Sequence, residues 1–287
     1  MSPEASTNLA PDKERWPRLK MMLAALIGYM FVLAFLTRLA VAKFPGFFHP
    51  TIYFTPDSFT DPAARRFAEL VAKGDIPRAL RASKALDDGV SAIAPDGVTA
   101  LLIAVNHKNR AMVEALLRAG ANPNGGPTRA PLALAISAGY LSIARLLLQA
   151  GADPNGSIDE SSALNQAALL GRQNAIALLL EFHAQVNQAD GDGHFALLTA
   201  ATVGHWSTVQ YLLDHGASPW VTEDTGITLA TWCKPDRPVD DSPQERLRQQ
   251  VIGQLKAVGY PWPPPAPQAV QALRKQGKWP PPGVQTP

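Results

Sequence analysis

The stretch Asp96-Gly97-Val98-Thr99-Ala100-Leu101, running on to Leu116-Leu117-Arg118-Ala119-Gly120-Ala121-Asn122-Pro123-Asn124, decides how this chain is read, because it recurs. A second copy holds Ala130-Pro131-Leu132-Ala133-Leu134-Ala135 and ends in Gly151-Ala152-Asp153-Pro154-Asn155. A third runs from Ser162-Ala163-Leu164-Asn165 through Leu178-Leu179-Leu180 to His183-Ala184-Gln185-Val186-Asn187. A fourth runs from Asp192-Gly193-His194-Phe195-Ala196-Leu197 through Tyr211-Leu212-Leu213 to Gly216-Ala217-Ser218-Pro219. Gly120, Gly151, His183 and Gly216 share one position at spacings of 31, 32 and 33 residues, the period of a stacked supersecondary unit.

Each copy has the same physical content. A turn carrying Gly leads into a short apolar helix that begins near Thr or Pro; a second helix with one apolar face follows, and a Gly after it supplies the left-handed cap. Neither helix can cover its own Leu and Ala positions, which are buried only when the next unit stacks on them. The phrase and its period resemble the ankyrin repeat. The resemblance covers Pro62 to Trp262 and implies an all-α ankyrin-repeat solenoid of helix-turn-helix units with short β-turn or hairpin loops. Full repeats are expected at about 96–125, 126–156, 159–188 and 192–221, with less regular caps at 62–93 and 224–262. Within the caps, Pro62 opens an amphipathic helix, a second is expected near Ile76 to Leu86, and Ser242-Pro243-Gln244-Glu245 opens a third that Gly259 closes.

The resemblance also places a binding surface, since ankyrin partners contact turn tips and the ends of the first helices. Aligned here, the tips are Val98, Arg129, Ser161 and His194, and the helix ends are Asn106, His107, Ser137, Ala138, Leu169, Leu170, Thr202 and Val203. Those positions are usually polar, so adjacent Leu169 and Leu170, with Ala138 and Val203 on neighbouring repeats, imply an apolar stripe on the concave face. The alternative is that the N-terminal connector or the C-terminal tail covers it. Trp206 and Trp220 are further candidate anchors. The chain departs from the family phrase Thr-Pro-Leu-His, which becomes Thr99-Ala100-Leu101-Leu102, Ala130-Pro131-Leu132-Ala133, Ser162-Ala163-Leu164-Asn165 and Phe195-Ala196-Leu197-Leu198. Losing that Thr and His implies weaker individual repeats and less certain turn geometry, above all at Phe195. His205 and His215 are expected to be structural.

Met21 to Thr37 is uncharged and mainly apolar between Lys20 and Arg38, and continues to Ala42, which suits a transmembrane signal anchor over 21–42. Lys13, Arg15, Arg18 and Lys20 precede it, which sets residues 1–20 in the cytoplasm and the repeats outside, in the periplasm if the source is bacterial. A signal peptide cleaved after Ala40-Val41-Ala42 is the alternative. Residues 43–61 form an aromatic and Pro-rich connector in which Phe44, Phe47, Phe48, Tyr53 and Phe54 suit the membrane interface. The tail 263–287, with its two Trp-Pro-Pro-Pro motifs, is expected to be extended around a short helix from Gln268 to Gln276.

Catalytic signatures are missing. No phosphate loop, zinc-protease helix, nucleophile elbow or paired cysteine motif occurs. The single cysteine, Cys233, excludes an intramolecular disulfide and reads as a packed hydrophobe. The histidines lack ligand spacing, so neither a metal site nor a cofactor is expected, although a solenoid could set His107 and His194 on one face. Asn155-Gly156-Ser157 matches a glycosylation acceptor, but Asn155 is also the Asn that ends the repeat. A net charge of +2 gives no nucleic-acid footprint. The expected partner is a protein rather than a small-molecule substrate. The expected function is a membrane-tethered, non-catalytic binding module, an immunity protein against a secreted toxic enzyme; the alternatives are an envelope scaffold and an unconventional hydrolase using His107, His194 or Asp192.

Overall fold

The computed structural model describes residues 54–127, 129–233 and 241–282. The expected anchor at 21–42, the N-terminal tail and the connector as far as Tyr53 lie outside the described residues. Among those that are described, no helix is long and apolar enough to cross a membrane.

The helices come in pairs. The first pair, α1 (Pro62–Ala72) and α2 (Ile76–Ser83), forms the N-terminal cap. Four repeats follow: α3 (Ala100–Asn106) with α4 (Arg110–Arg118), α5 (Pro131–Ala138) with α6 (Leu141–Gln149), α7 (Ala163–Leu169) with α8 (Gln173–Glu181), and α9 (Ala196–Thr202) with α10 (Trp206–Asp214). Then α11 (Leu229–Trp232) and α12 (Pro243–Ala257) close the array, and α13 (Pro267–Lys275) comes last. The first helix of every pair packs on the next, in the order α1, α3, α5, α7, α9, α11.

These inner helices are short and mostly buried. Ala100 to Val105 of α3 and Ala163 to Ala168 of α7 are all buried; α3 reads accordingly as a continuous apolar run, while α7 buries two polar residues, Asn165 and Gln166, at the corresponding positions. At seven residues each they are far below the length at which a helix is stable alone, so stacking holds them. The outer helices bury only one face, as Met112, Val113 and Leu116 do in α4 and Ile143, Ala144, Leu147 and Leu148 do in α6.

Helix starts follow the side chains available. Thr99 and Ser162 cap α3 and α7 by accepting from Leu102 N at 3.2 Å and Asn165 N at 3.1 Å, and Ser242 caps α12 through Glu245 N at 3.2 Å. Ala130 and Phe195 offer no cap. Pro131 at the first turn starts α5 instead. Ahead of α9 the turn is closed from behind: Asp190 accepts from His194 N at 2.8 Å and donates its own N–H to the His194 carbonyl at 2.9 Å. The turn at Phe195 is thus held by a carboxylate five residues upstream, and α9 begins at Ala196 as its sister helices predict.

The short β-turn or hairpin loops expected between units are mostly turns. Only β1 (Ser157–Ile158) and β2 (Ser161–Ser162) pair as strands among the described residues, with Arg129 bridging to Ile158. The loops before α3 and α11 are single bridges, Ile93 to Thr99 and Thr222 to Thr228.

Two devices repeat along the stack. In the first, a side-chain oxygen at the end of one unit accepts a backbone N–H of the next: Ser91 from Asn122 at 3.1 Å, Asn124 from Asp153 at 2.7 Å, Asn155 from Gln185 at 2.8 Å and Asn187 from Ser218 at 2.7 Å. Asn155 is therefore a rung of a ladder between units, the structural role its position in the phrase suggested. Asn155→Ala is expected to lower stability by about 1 kcal/mol, the net worth of one such bond where water can replace the acceptor. Urea denaturation checks this, and an unchanged midpoint would show that the rung carries nothing.

In the second device, the residue following the turn between the two helices of a unit tucks under the turn of the unit before. A Cβ at Gly171 would lie 3.1 Å from the His205 ring and one at Gly139 would lie 3.0 Å from the Arg172 guanidinium. Lys108 stands where the glycine would be in the first full repeat, at φ +55°, with its ammonium 5.3 Å from the centre of the Tyr140 ring. His205 is structural, and so is His215, which stacks on Tyr211 with ring centres 4.1 Å apart.

The tail does not trail away. A helix forms at Pro267–Lys275, and the chain beyond it returns so that Trp279 lies edge-on to Trp220 and Tyr260, its Nε1 donating to the Trp220 carbonyl at 3.1 Å. Gly226, at φ +80°, permits the approach, since a Cβ there would lie 2.0 Å from the Pro267 carbonyl oxygen. Extended polyproline geometry gives way here because three large rings bury one another. Phe54 is likewise buried, beneath the Arg129 guanidinium at 5.4 Å, and does not serve a membrane interface.

Candidate partner-binding face

The face that remains open is built from the C-terminal ends of the inner helices and from the turn tips that precede them. Leu170 ends α7 and is 43% exposed, one of few large apolar side chains in water among the described residues. Leu169 and, at the ends of the other inner helices, Ala138, Val203, Ser137, Asn106 and Thr202 are half-buried, and His107 is exposed at the end of α3. Thr202 is partly committed, its hydroxyl donating to the Leu198 carbonyl at 2.9 Å. The described part of the tail docks at Trp220 and Asp224 and leaves Leu170 open.

The tips differ among themselves. Arg129 is half-buried between the Phe54 ring and Asp159, whose carboxylate lies 3.9 Å away. Ser161 lies half-buried in β2, and His194 is exposed. Val98 is not a tip residue: it is 1% exposed. Its N–H donates to Asp96 Oδ1 and its carbonyl accepts from Ala94, and this closed turn directs Val98 inward while Ile93 points out. Trp206 and Trp220 are also not available as anchors. Both are buried, Trp206 in the core face of α10 and Trp220 stacked on Tyr260 at 4.6 Å. An indole that would suit a partner suits the end of a solenoid equally well, and sequence pattern cannot separate the two.

Sequence reading missed a buried polar knot. Asp190, with a side chain only 2% exposed, accepts from His194 N and from Asn165 Nδ2 at 2.5 Å; the same Nδ2 reaches the His194 carbonyl at 2.9 Å. Asn165 occupies the position of the missing family His and ties its repeat to the next turn. That equivalence was visible in the phrase; Asp190, lying between copies, carried no comparable signal. Arg172 was also missed: its guanidinium donates to the Ile136 and Ser137 carbonyls at 2.6 and 2.7 Å, satisfying the end of α5 from the following unit.

Among the described residues no group of three or more His, Cys, Asp or Glu is placed to hold a metal ion. His107 and His194 sit three repeats apart, roughly 25 Å at ordinary helix-packing distances, and do not share a site. Cys233 is buried, its thiol pushed up to about 12 by burial, with Arg248 pulling the other way. Burial also pushes the Glu223 carboxyl up, opposed by His194.

The ankyrin-repeat family model matches residues 73–158 and 155–223, so the chain belongs to the ankyrin repeat family. A crystal structure of an ankyrin repeat domain from Acinetobacter baumannii AYE is similar, with 25% identity and a TM-score of 0.56, covering 67% of this chain and 97% of that one. No curated protein matches the chain. The fold is a mostly helical ankyrin solenoid, a class that in general mediates protein–protein interaction.

Proposed function

We propose that this chain is a non-catalytic ankyrin module that binds one protein partner through its inner-helix face, tethered to a membrane by residues 21–42 with the repeats on the far side. Within that reading its role is that of an immunity protein, holding an inhibitor where a secreted toxic enzyme arrives. The observation that carries the binding reading is Leu170, exposed beside Leu169, Ala138 and Val203 at positions that face outward and do not support the core. The uncharged, mainly apolar run from Met21 to Thr37 supports the tether. A scaffold for an envelope enzyme would use the same face, and partner identity separates the two.

The test is a crosslinked pull-down from native membranes, comparing the intact chain with Leu169→Asp/Leu170→Asp after circular dichroism shows the variant folded. One protein recovered with the intact chain and reduced at least about tenfold with the variant is the expected result, in line with loss of a central apolar anchor. A secreted enzyme would mark an inhibitor, and a housekeeping envelope enzyme a scaffold. Equal recovery would overturn the face.

A further inference from the structure

The floor of the partner face holds a polar group that the fold leaves unused. Ile103, Leu134, Gln166 and Thr199 are the fourth residues of α3, α5, α7 and α9. Each lies one turn ahead of a residue of the open face, as Gln166 does of Leu170, whose N–H donates to the Gln166 carbonyl at 3.2 Å. Side chains three and four apart on a helix are neighbours, so Gln166 stands beside both Leu169 and Leu170.

Ile103 is fully buried and Leu134 half-buried, so the position suits an apolar side chain. Gln166 is as buried as a core residue, only 6% exposed, yet its carboxamide makes no hydrogen bond among the described residues. Its amide atoms are not sealed from water, whereas the carboxamide oxygens of Gln210 and Gln254 are. The stem is therefore packed while the tip opens onto the face. Thr199, half-buried at the same position of α9, also has a hydroxyl without a partner among the described residues. A buried amide with nothing to bond weakens a fold, and fixing a glutamine costs more side-chain freedom than fixing a leucine. Leucine, which α5 carries at this position, would serve the stack better.

We infer that Gln166 is the specificity-determining residue of this face: its amide bonds the main chain of an extended partner segment, whose neighbouring apolar side chain sits on Leu170. The inference rests on the inner-helix face being the partner site and goes further by fixing what the partner presents there. A carboxamide offers an N–H donor and a carbonyl acceptor side by side, the complement of a peptide group. A helix cannot take this place, because its main-chain groups bond one another; an extended segment or strand edge leaves them free. Successive residues of such a segment are about 3.3 Å apart, and Cβ atoms four apart on a helix are about 5–6 Å apart, so the bonded peptide group and the anchoring side chain lie within two residues of each other. A partner with no free peptide group there leaves the amide covered and unbonded, and is rejected for that reason.

The experiment uses the full chain in detergent micelles, with a displayed library of random dodecamer peptides as the probe. Binders selected on the unchanged chain are measured against Gln166→Leu and Leu170→Asp, each shown folded by circular dichroism. The tightest binder is then made with an N-methyl group at each peptide nitrogen in turn. The expected result is an affinity about tenfold lower on Gln166→Leu, the size of one such hydrogen bond, although that variant melts at the same or a higher temperature than the unchanged chain. One N-methyl position should lose the same factor on the unchanged chain and nothing further on Gln166→Leu. Affinity that Leu170→Asp abolishes and Gln166→Leu leaves unchanged would overturn the role of Gln166 and leave the partner face standing. A lower melting temperature for Gln166→Leu would make Gln166 a support of the fold and overturn the inference as well. Binders that need Gln166 but tolerate every N-methyl group, using an Asn or Gln side chain instead, would overturn the main-chain assignment. No enrichment, or enrichment indifferent to both variants, would overturn the inference together with the face it rests on.

Discussion

Trp279→Ala is expected to lower the stability of the repeat domain by about 3–5 kcal/mol, the cost of truncating a buried indole. Trp279 does three things at once: it lies edge-on to Trp220 at 5.8 Å, edge-on to Tyr260 at 5.7 Å, and donates to the Trp220 carbonyl. Removing it exposes the stacked pair and leaves that carbonyl without its donor. The end of α12 then frays, since Tyr260 follows it directly and its N–H bonds back to Leu255. Thermal unfolding followed by tryptophan fluorescence measures the loss. Trypsin under native conditions gives an independent reading: Arg274, Lys275 and Lys278 should be cut early in the variant and late in the unchanged chain. An unchanged midpoint would mean that the last helix is not part of the folded unit.

Leu179→Ala and Leu170→Ala should differ sharply although both remove the same atoms from neighbouring helices. Leu179 is fully buried in α8, so its loss opens a cavity and should cost about 2–5 kcal/mol. In a solenoid that cost falls on one unit and on the interfaces either side of it, so the unfolding transition should also broaden. Leu170, 43% exposed and open to water on one side, leaves no closed cavity and should cost below about 1 kcal/mol. Paired urea denaturation curves decide the matter. Equal losses would show that Leu170 is a core residue and would remove the stability argument for its availability to a partner.

That contrast also marks how far residue pattern could reach. Pattern identifies Leu179 and Leu170 alike as apolar residues of one repeat; the phrase position of Leu170, at the end of the first helix, was what singled it out. The same reasoning failed at Val98, whose N–H donates to the Asp96 carboxylate, closing the turn with the valine inward. It failed at Trp206 and Trp220 because an aromatic residue suits a core and an interface equally.

By itself the sequence determined the period, the helix pairs and the order of the array, because caps, turn glycines and apolar spacing act over a few residues and repeat in every unit. It also showed the recurring Asn124, Asn155 and Asn187, but not that each accepts a backbone N–H of the next unit. Tertiary structure alone decided which residues face water and how the C-terminal segment docks on Trp220. Those outcomes depend on contacts between residues about thirty or more positions apart, and burial and electrostatics between such residues are properties of the stacked units and not of any single one.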